Sequence, residues 1–362
     1  MKEEAGRSKN VIEVIDLAKS YGHVRALDGV TFSVAKGEIV GFLGPNGAGK
    51  STTMRILCGL IPADSGEARV SGVDLAEQEG EVRRHVGYLP ENNPLPDELR
   101  VSEYLRFRGR LKGLSGSLLR ERVDRSLDLC DLRRSAAERM IGNLSKGFRQ
   151  RVGIADSLLA EPKVVILDEP SIGLDPRQTG IVRRLLERLR GEVAVLLSSH
   201  VLSEVEACCD RMLILNRGRI VAEGGLADLQ EEYVDETVFE VVAAGPREVI
   251  EKATYGADPS CELKEEGPPE ASGHRRYVFA TKNGESAAEA SLRALVGDEQ
   301  TLTREFSLCR PDLETIFLKA TKRSWEESAL VRDLALEVPD TEEELPPRRE
   351  TNADSQEGLN PS

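Results

Sequence analysis

The feature that most restricts what this chain can fold into lies between residues 39 and 52. An apolar run, Ile39 to Leu43, is followed without a break by Gly44-Pro45-Asn46-Gly47-Ala48-Gly49-Lys50-Ser51-Thr52. The run reads as a buried strand, and the tract after it fits GxxxxGK[ST] in the strand-loop-helix setting that the pattern requires. Glycines there let successive backbone amides turn toward one anion, while the following helix presents its positive N-terminus to the same point. Lys50 is expected to reach the terminal phosphates of a nucleotide and Ser51 to offer its hydroxyl to Mg²⁺.

Further short apolar runs follow at Val86 to Leu89, Val164 to Leu167, Val193 to Leu197 and Met212 to Leu215, with helical patterns between several of them. Parallel strands buried on both faces look like this, so the core is predicted to be α/β. The run Val164 to Leu167 ends in Asp168-Glu169. Asp168 is expected to hold the Mg²⁺ shell. Glu169 stands one residue on, where a carboxylate can polarise a water in line with the γ-phosphate, worth roughly 10²–10⁴ in rate. Alone, such a strand end is more often a capped turn. Beside a phosphate loop the balance reverses.

Charge divides the chain further. Over 362 residues the formal net charge is −14, which disfavours wrapping nucleic acid by bulk charge. Half of that charge falls in residues 323–362, which carry eleven acids and four bases and are expected to be a disordered acidic tail. Leu99 to Arg139 is the opposite, with eleven bases, six acids and leucines at roughly helical spacing, a basic helical insert. Between 234 and 322 a small α+β part is predicted, with strands near Thr237 to Val242 and Arg276 to Ala280, a helix near Ser286 to Val296 and a last helix from Pro311 to Ala320. No run of eighteen apolar residues occurs and the first residues lack the apolar stretch of a secretory signal. The six cysteines show no CxxC pair and read as reduced thiols.

Leu144-Ser145-Lys146-Gly147-Phe148-Arg149-Gln150-Arg151, beginning its Ser 23 residues before Asp168, resembles the LSGGQ signature of the ABC-family ATPases. Other elements of that family fall in order: Tyr21 upstream, Glu91 at the Q-loop position, Ser171-Ile172-Gly173-Leu174-Asp175 as the D-loop, and His200 as the switch histidine. The resemblance implies a P-loop core with a mostly parallel sheet, an antiparallel β part and an inserted helical subdomain at about 92–160, all within 11–230. A flexible N-terminus at 1–10 and the 234–322 domain flank it. It also implies a dimer, of two copies or of this chain with a paralogous ATPase, that encloses two Mg-ATP. Each ATP would touch one protomer's phosphate loop and Tyr21, and the other's Ser145, Lys146 and Gly147, with Asp175 nearby. Catalytic roles fall to Glu169, His200, Lys50 and Glu91, and metal contacts to Ser51, Asp168 and Glu91.

Two departures stand out. Glu91 puts a carboxylate where the family generally has an amide, able to ligate Mg²⁺ or to repel phosphate. Lys146 replaces a glycine, and Phe148 removes the usual Gln side chain.

By the same resemblance the insert docks on a separate membrane permease, and its basic charge also favours an anionic leaflet. Pro311 to Thr321 is similar to the LEDxFLxLT close of ATPases that serve ABC-2-type exporter permeases. Leu313, Ile316 and Phe317 share a helix face, as expected for a helix that packs on its own domain. The expected location is cytoplasmic, peripheral on the inner face of the cell membrane. The competing readings are a soluble ABC ATPase outside transport and a non-hydrolysing nucleotide-binding regulator. Long heptad arms, zinc-type cysteine pairs or a duplicated nucleotide domain would mark the former, and none is read here.

Overall fold

Three sheets order the chain, and the computed structural model describes them over residues 10–233 and 236–323. In chain order the elements of the first part are β1 (Asn10–Tyr21), β2 (Val24–Ala35), β3 (Ile39–Leu43), α1 (Lys50–Leu57), β4 (Ser65–Val70), β5 (Val73–Asp74), α2 (Glu79–His85), β6 (Val86–Leu89), α3 (Val101–Leu111), α4 (Gly116–Leu129), α5 (Lys146–Leu158), β7 (Val164–Asp168), α6 (Pro176–Leu189), β8 (Ala194–Ser198), α7 (Leu202–Cys208), β9 (Arg211–Asn216), β10 (Arg219–Gly224) and α8 (Leu226–Tyr233). The second part holds β11 (Thr237–Ala244), α9 (Arg247–Ala257), β12 (Glu262–Glu266), β13 (Arg275–Thr281), α10 (Gly284–Gly297) and β14 (Leu302–Cys309). A last helix, α11, covers 313–323.

The central sheet has the order β10-β9-β3-β8-β7-β6, parallel except for the β9–β10 hairpin. Every residue of β3, β7 and β8 is buried, because both faces of these strands are covered. One face carries the antiparallel sheet β2-β1-β4-β5, and the seam is filled by residues such as Val14, Leu27, Val40, Ile166 and the tilted ring pair Phe32–Phe42 at 5.7 Å. Against the other face pack α5 and α6, and beyond them the α3–α4 hairpin, through Leu105, Val123, Leu127, Ile154 and Leu167. The basic insert is therefore helical, as its leucine spacing predicts, and breaks into two helices at Gly113 and Gly116, both at positive φ.

In the second part, β11-α9-β12-β13-α10-β14 with strand order β12-β13-β11-β14 and all pairs antiparallel is the split βαβ, ferredoxin-like arrangement. Phe239 stands opposite Phe279, their rings 5.5 Å apart under α9 and α10.

Two expectations need revision. The last helix begins at residue 313, after Asp312 takes the Thr315 amide at 2.9 Å, and runs through Arg323, the residue at which the acidic tail was expected to begin. Its buried side chains Leu313, Ile316 and Ala320 pack against Leu43, Met212, Ile214 and Leu229 of the first part, not within the 234–322 part that precedes it. The reason is volume: α9 and α10 already cover the inner face of the second sheet. The expected flexible N-terminus lies outside the described residues save Asn10, which opens β1, and the rest of the acidic tail lies outside them too. Among the described residues no helix is long and apolar enough to cross a membrane.

Candidate nucleotide site

The phosphate loop spans the gap between the end of β3 and the start of α1, at the C-terminal rim of the parallel sheet. Two of its glycines are required by the backbone. Gly49 sits at φ 113°, and a Cβ there would stand 2.6 Å from the Ala26 carbonyl oxygen. A Cβ at Gly44 would collide with the Leu215 carbonyl. The chain thus presses the loop against β2 and β9, which holds it in shape.

Lys50 is buried and folds back over the loop, donating from Nζ to the Gly44 carbonyl at 2.6 Å and the Pro45 carbonyl at 3.3 Å. Burial pulls its pKa below the ordinary lysine value, against the opposing pull of Glu169, Asp168 and Glu91. The three carboxylates thus offset part of what burial does to the ammonium. A phosphate, with more charge, would offset more.

Opposite the loop, β7 and β8 end in register, with Asp168 facing Ser198. Ser198 is fully buried; its hydroxyl donates to Asp168 Oδ1 at 2.6 Å and accepts the Glu169 amide at 3.0 Å. Glu169 adopts φ 52°, a left-handed conformation that costs a residue with a side chain of order 1–3 kcal/mol and persists only when neighbours enforce it. Ser198 supplies that enforcement, since its carbonyl also takes the Glu169 amide, at 3.2 Å. Beyond β8, His200 Nδ1 lies 2.6 Å from Glu169 Oε2, placed to donate to the carboxylate.

These pieces share one cleft of about 780 Å³, lined by Tyr21, the loop from Asn46 to Thr52, Glu91, Asp168, Glu169 and His200. Its size is that of a small-molecule site, about 300–1,000 Å³. Tyr21 is 48% exposed at the end of β1, with the Lys19 ammonium over its ring at 5.9 Å, and an aromatic face on the cleft can stack on a base. Gly44 and Pro45 stand behind the lining and contribute the carbonyls that Lys50 holds.

The signature residues stand elsewhere. Ser145 and Lys146 are exposed at the start of α5, and neither they nor Gly147 nor Asp175 lines the cleft. Asp175 caps α6 by taking the Gln178 amide at 2.9 Å, with Pro176 at the first helical position. The Gln178 side chain packs against Gly147, and the Lys146 ammonium lies against Gly173. Signature and D-loop are thus one contiguous surface. The Phe148 ring has two guanidiniums over it, Arg151 at 4.3 Å and Arg139 at 5.6 Å, and packs partly buried against the core, so it anchors the start of α5.

The donor set suits Mg²⁺. Asp168, Glu91 and the Ser51 hydroxyl are hard oxygen ligands on one cleft. Among the described residues no three His, Cys, Asp or Glu side chains gather tightly enough to hold a metal ion alone. That fits an ion which completes its shell with phosphate oxygens and water.

Ser198 was not legible as a site residue, and neither were Val24 and Ala26, which with Ile172 of the expected D-loop complete the lining. The only sequence signal for Ser198 is a pair of serines closing an apolar strand just before His200.

A phosphate loop at the rim of a parallel sheet, with acids at the end of a nearby strand, defines a P-loop nucleotide-binding protein. The family profile described as ABC transporter matches residues 27–172. A probable multidrug ABC transporter ATP-binding protein of Escherichia coli, YbhF, is 38% identical over 64% of this chain, which spans 40% of that relative's length. A daunorubicin resistance ATP-binding protein of Streptomyces coeruleorubidus is 35% identical over 84% of this chain and 93% of its own. Among solved structures, an ATP-binding subunit of an ABC transporter is 35% identical with TM-score 0.57, covering 62% of this chain and 93% of its own. A cassette solved as a dimer in a post-hydrolysis state with ADP and phosphate is 26% identical with TM-score 0.55, covering 59% of this chain and 98% of its own. The chain belongs to the family of ABC transporter ATP-binding proteins.

Proposed function

We propose that this chain is the ATP-binding and hydrolysing subunit of an ABC exporter, working as a dimer with a separate ABC-2-type permease. One observation carries the reading: the cleft gathers Tyr21, the phosphate loop and the three acids, while Ser145 and Lys146 stay exposed outside it, at the start of α5. A helix N-terminus of that kind can serve an anion held by another copy.

In this reading Tyr21 stacks on the base, and the loop amides with Lys50 grip the phosphates. Asp168, Ser51 and Glu91 hold Mg²⁺, which when bound neutralises charge developing on the phosphate oxygens. Glu169 takes the proton of the attacking water at its carboxylate, held in place by the His200 Nδ1–H and the strained turn at residue 169. Ser145, Lys146 and Gly147 of the second copy close over the γ-phosphate. Loss of that group weakens the closed state and shifts the population toward open protomers. The Asp175 segment, continuous with the signature, carries the change across the interface.

Coupling to a permease is supported by the groove of about 340 Å³ between the Leu89–Pro94 segment and α3, where Arg108 reaches Asp156 at 2.9 Å. The exporter branch is supported by the names of the relatives, which include Nod factor export and linearmycin resistance ATP-binding proteins, and by the Pro311–Thr321 segment. The protein then sits peripherally on the inner face of the cell membrane, held by its permease. No nucleic-acid partner is proposed.

Turnover of purified wild type against Glu169→Gln tests the reading. We expect the variant to bind ATP, to sediment as a dimer in saturating Mg-ATP, and to lose turnover by roughly 10²–10⁴. Equal turnover in the two proteins overturns the assignment of Glu169, and no self-association under any nucleotide condition overturns the dimer.

A further inference from the structure

We propose that the outer face of the α3–α4 hairpin binds an anionic lipid surface directly, without the permease. On α3 the positions 106, 107, 110 and 111 fall on one helical face, because residues four apart stack one turn above another. That face carries Arg106, Phe107, Arg110 and Leu111, and the start of α4 exposes Leu118 and Arg120 on the two flanks of its buried Leu119. Phe107, Leu111 and Leu118 are 51%, 63% and 43% exposed. They are not stray surface residues on a loosely packed element, because Leu119 packs directly on Gly109 and locks the two helices together beneath them.

The arginines are unusual in the same place. Among the described residues the side chains of Arg106, Arg110 and Arg120 have no ion pair or hydrogen bond, whereas Arg108 pairs with Asp156 and Arg125 with Glu161. Glu121 and Asp124 are exposed acids near Arg120 on α4, Asp124 pairing with Arg133 at 3.2 Å, and Glu103, one turn before Arg106 on α3, takes the Arg100 amide at 2.9 Å. Two arginines without an ion pair thus flank Phe107 and Leu111 on one face of α3, with Leu118 and Arg120 exposed on the helix packed beside it. Interfacial elements have this composition, with apolar side chains entering the headgroup boundary and arginines meeting lipid phosphates. A chain of net charge −14 has no general attraction for an anionic surface, so binding there has to come from a local patch of this kind.

Flotation of the full-length protein with vesicles tests the proposal, with no permease and no nucleotide. Vesicles of phosphatidylglycerol and phosphatidylethanolamine should carry the wild type at low salt, those of phosphatidylcholine alone should not, and raised salt should release it. Arg106→Gln/Arg110→Gln/Arg120→Gln should bind roughly a hundredfold more weakly, each arginine being worth about 1 kcal/mol or some fivefold near a charged surface. Phe107→Ser/Leu111→Ser/Leu118→Ser should bind at least about tenfold more weakly while keeping the salt response. An ATP-induced thermal shift equal to wild type certifies the fold of both variants. Soluble glycerophosphate at the same phosphate concentration should not compete; if it does, the face is a free-anion site and the proposal fails. It also fails if the wild type does not float with anionic vesicles, if the arginine variant floats as well as wild type, or if binding appears only in membranes that contain the permease, which would make the face a protein contact.

Discussion

The Ser198 hydroxyl donates to Asp168 Oδ1 at 2.6 Å, and the same oxygen receives the Glu169 amide at 3.0 Å. One buried group thereby sets the orientation of the carboxylate placed at the metal and the backbone of the one placed at the water. Ser198→Ala strips the donor from Asp168 and one of two acceptors from the Glu169 amide. Leaving buried polar groups unpaired costs about 1–3 kcal/mol, so urea unfolding should shift by that much. Turnover should fall together with apparent affinity for Mg²⁺. Wild-type values on both counts would show that the serine only fills space.

Glu169 and His200 are joined at 2.6 Å and are expected to act as one unit. His200→Ala should lower turnover by about 10²-fold or more while leaving ATP affinity within a few-fold, since the phosphates are held elsewhere. Added to Glu169→Gln, it should lower turnover little further, because groups that act together are not additive. Full additivity in that double-mutant cycle would separate their roles.

Legibility from sequence follows burial. β3 and β7 stand out as unbroken apolar runs because both their faces are covered, and the loop after β3 is fixed by glycines no other residue can replace. β1 hides because one face is wet and its pairing slips between Val14 and Leu17, with Asp16 at φ 50°. β12, Glu262-Leu263-Lys264-Glu265-Glu266, has no strand-like composition and forms only because β13 offers it an edge. α9 buries only Ile250 and Thr254, too little to print a period. The site residues that carry motifs were legible, whereas Ser198 acts through a contact with Asp168 on another strand, far away in the chain.

Ile316 is fully buried on α11 against Leu43, the residue that immediately precedes the phosphate loop, and against Met212 and Ile214 of β9. Asn216 at the end of β9 also donates to the Thr321 carbonyl at 3.3 Å. Ile316→Ala should cost about 2–5 kcal/mol in chemical unfolding, as for other large-to-small changes in a packed core. Truncation after Arg310 should go further and weaken ATP binding, because it uncovers the strand that holds the loop. A truncated protein with unaltered ATP affinity and unfolding midpoint would show that α11 is dispensable to the site.

Asp258, at the end of α9, gives the ferredoxin-like part its own acid dependence. Burial by itself raises its pKa, yet hydrogen bonds from Thr281, from the Ser260 amide at 3.0 Å and hydroxyl at 2.9 Å, and from Asn283 at 2.8 Å overcome this and hold the carboxyl at about 2. The unfolded carboxyl titrates near ~3.9, so the folded state binds fewer protons between the two values. The stabilisation is therefore complete above about pH 4 to 5, shrinks as pH falls, and is gone below about pH 2. Asp258→Asn cannot titrate and presents an amide to donors that need an acceptor. Its urea midpoint should lie well below wild type at pH 7, and the gap should close steadily as the pH is lowered from 5 to about 2. A gap that stays constant over that range would mean that shape, and not the charge held by these donors, fixes the turn after α9.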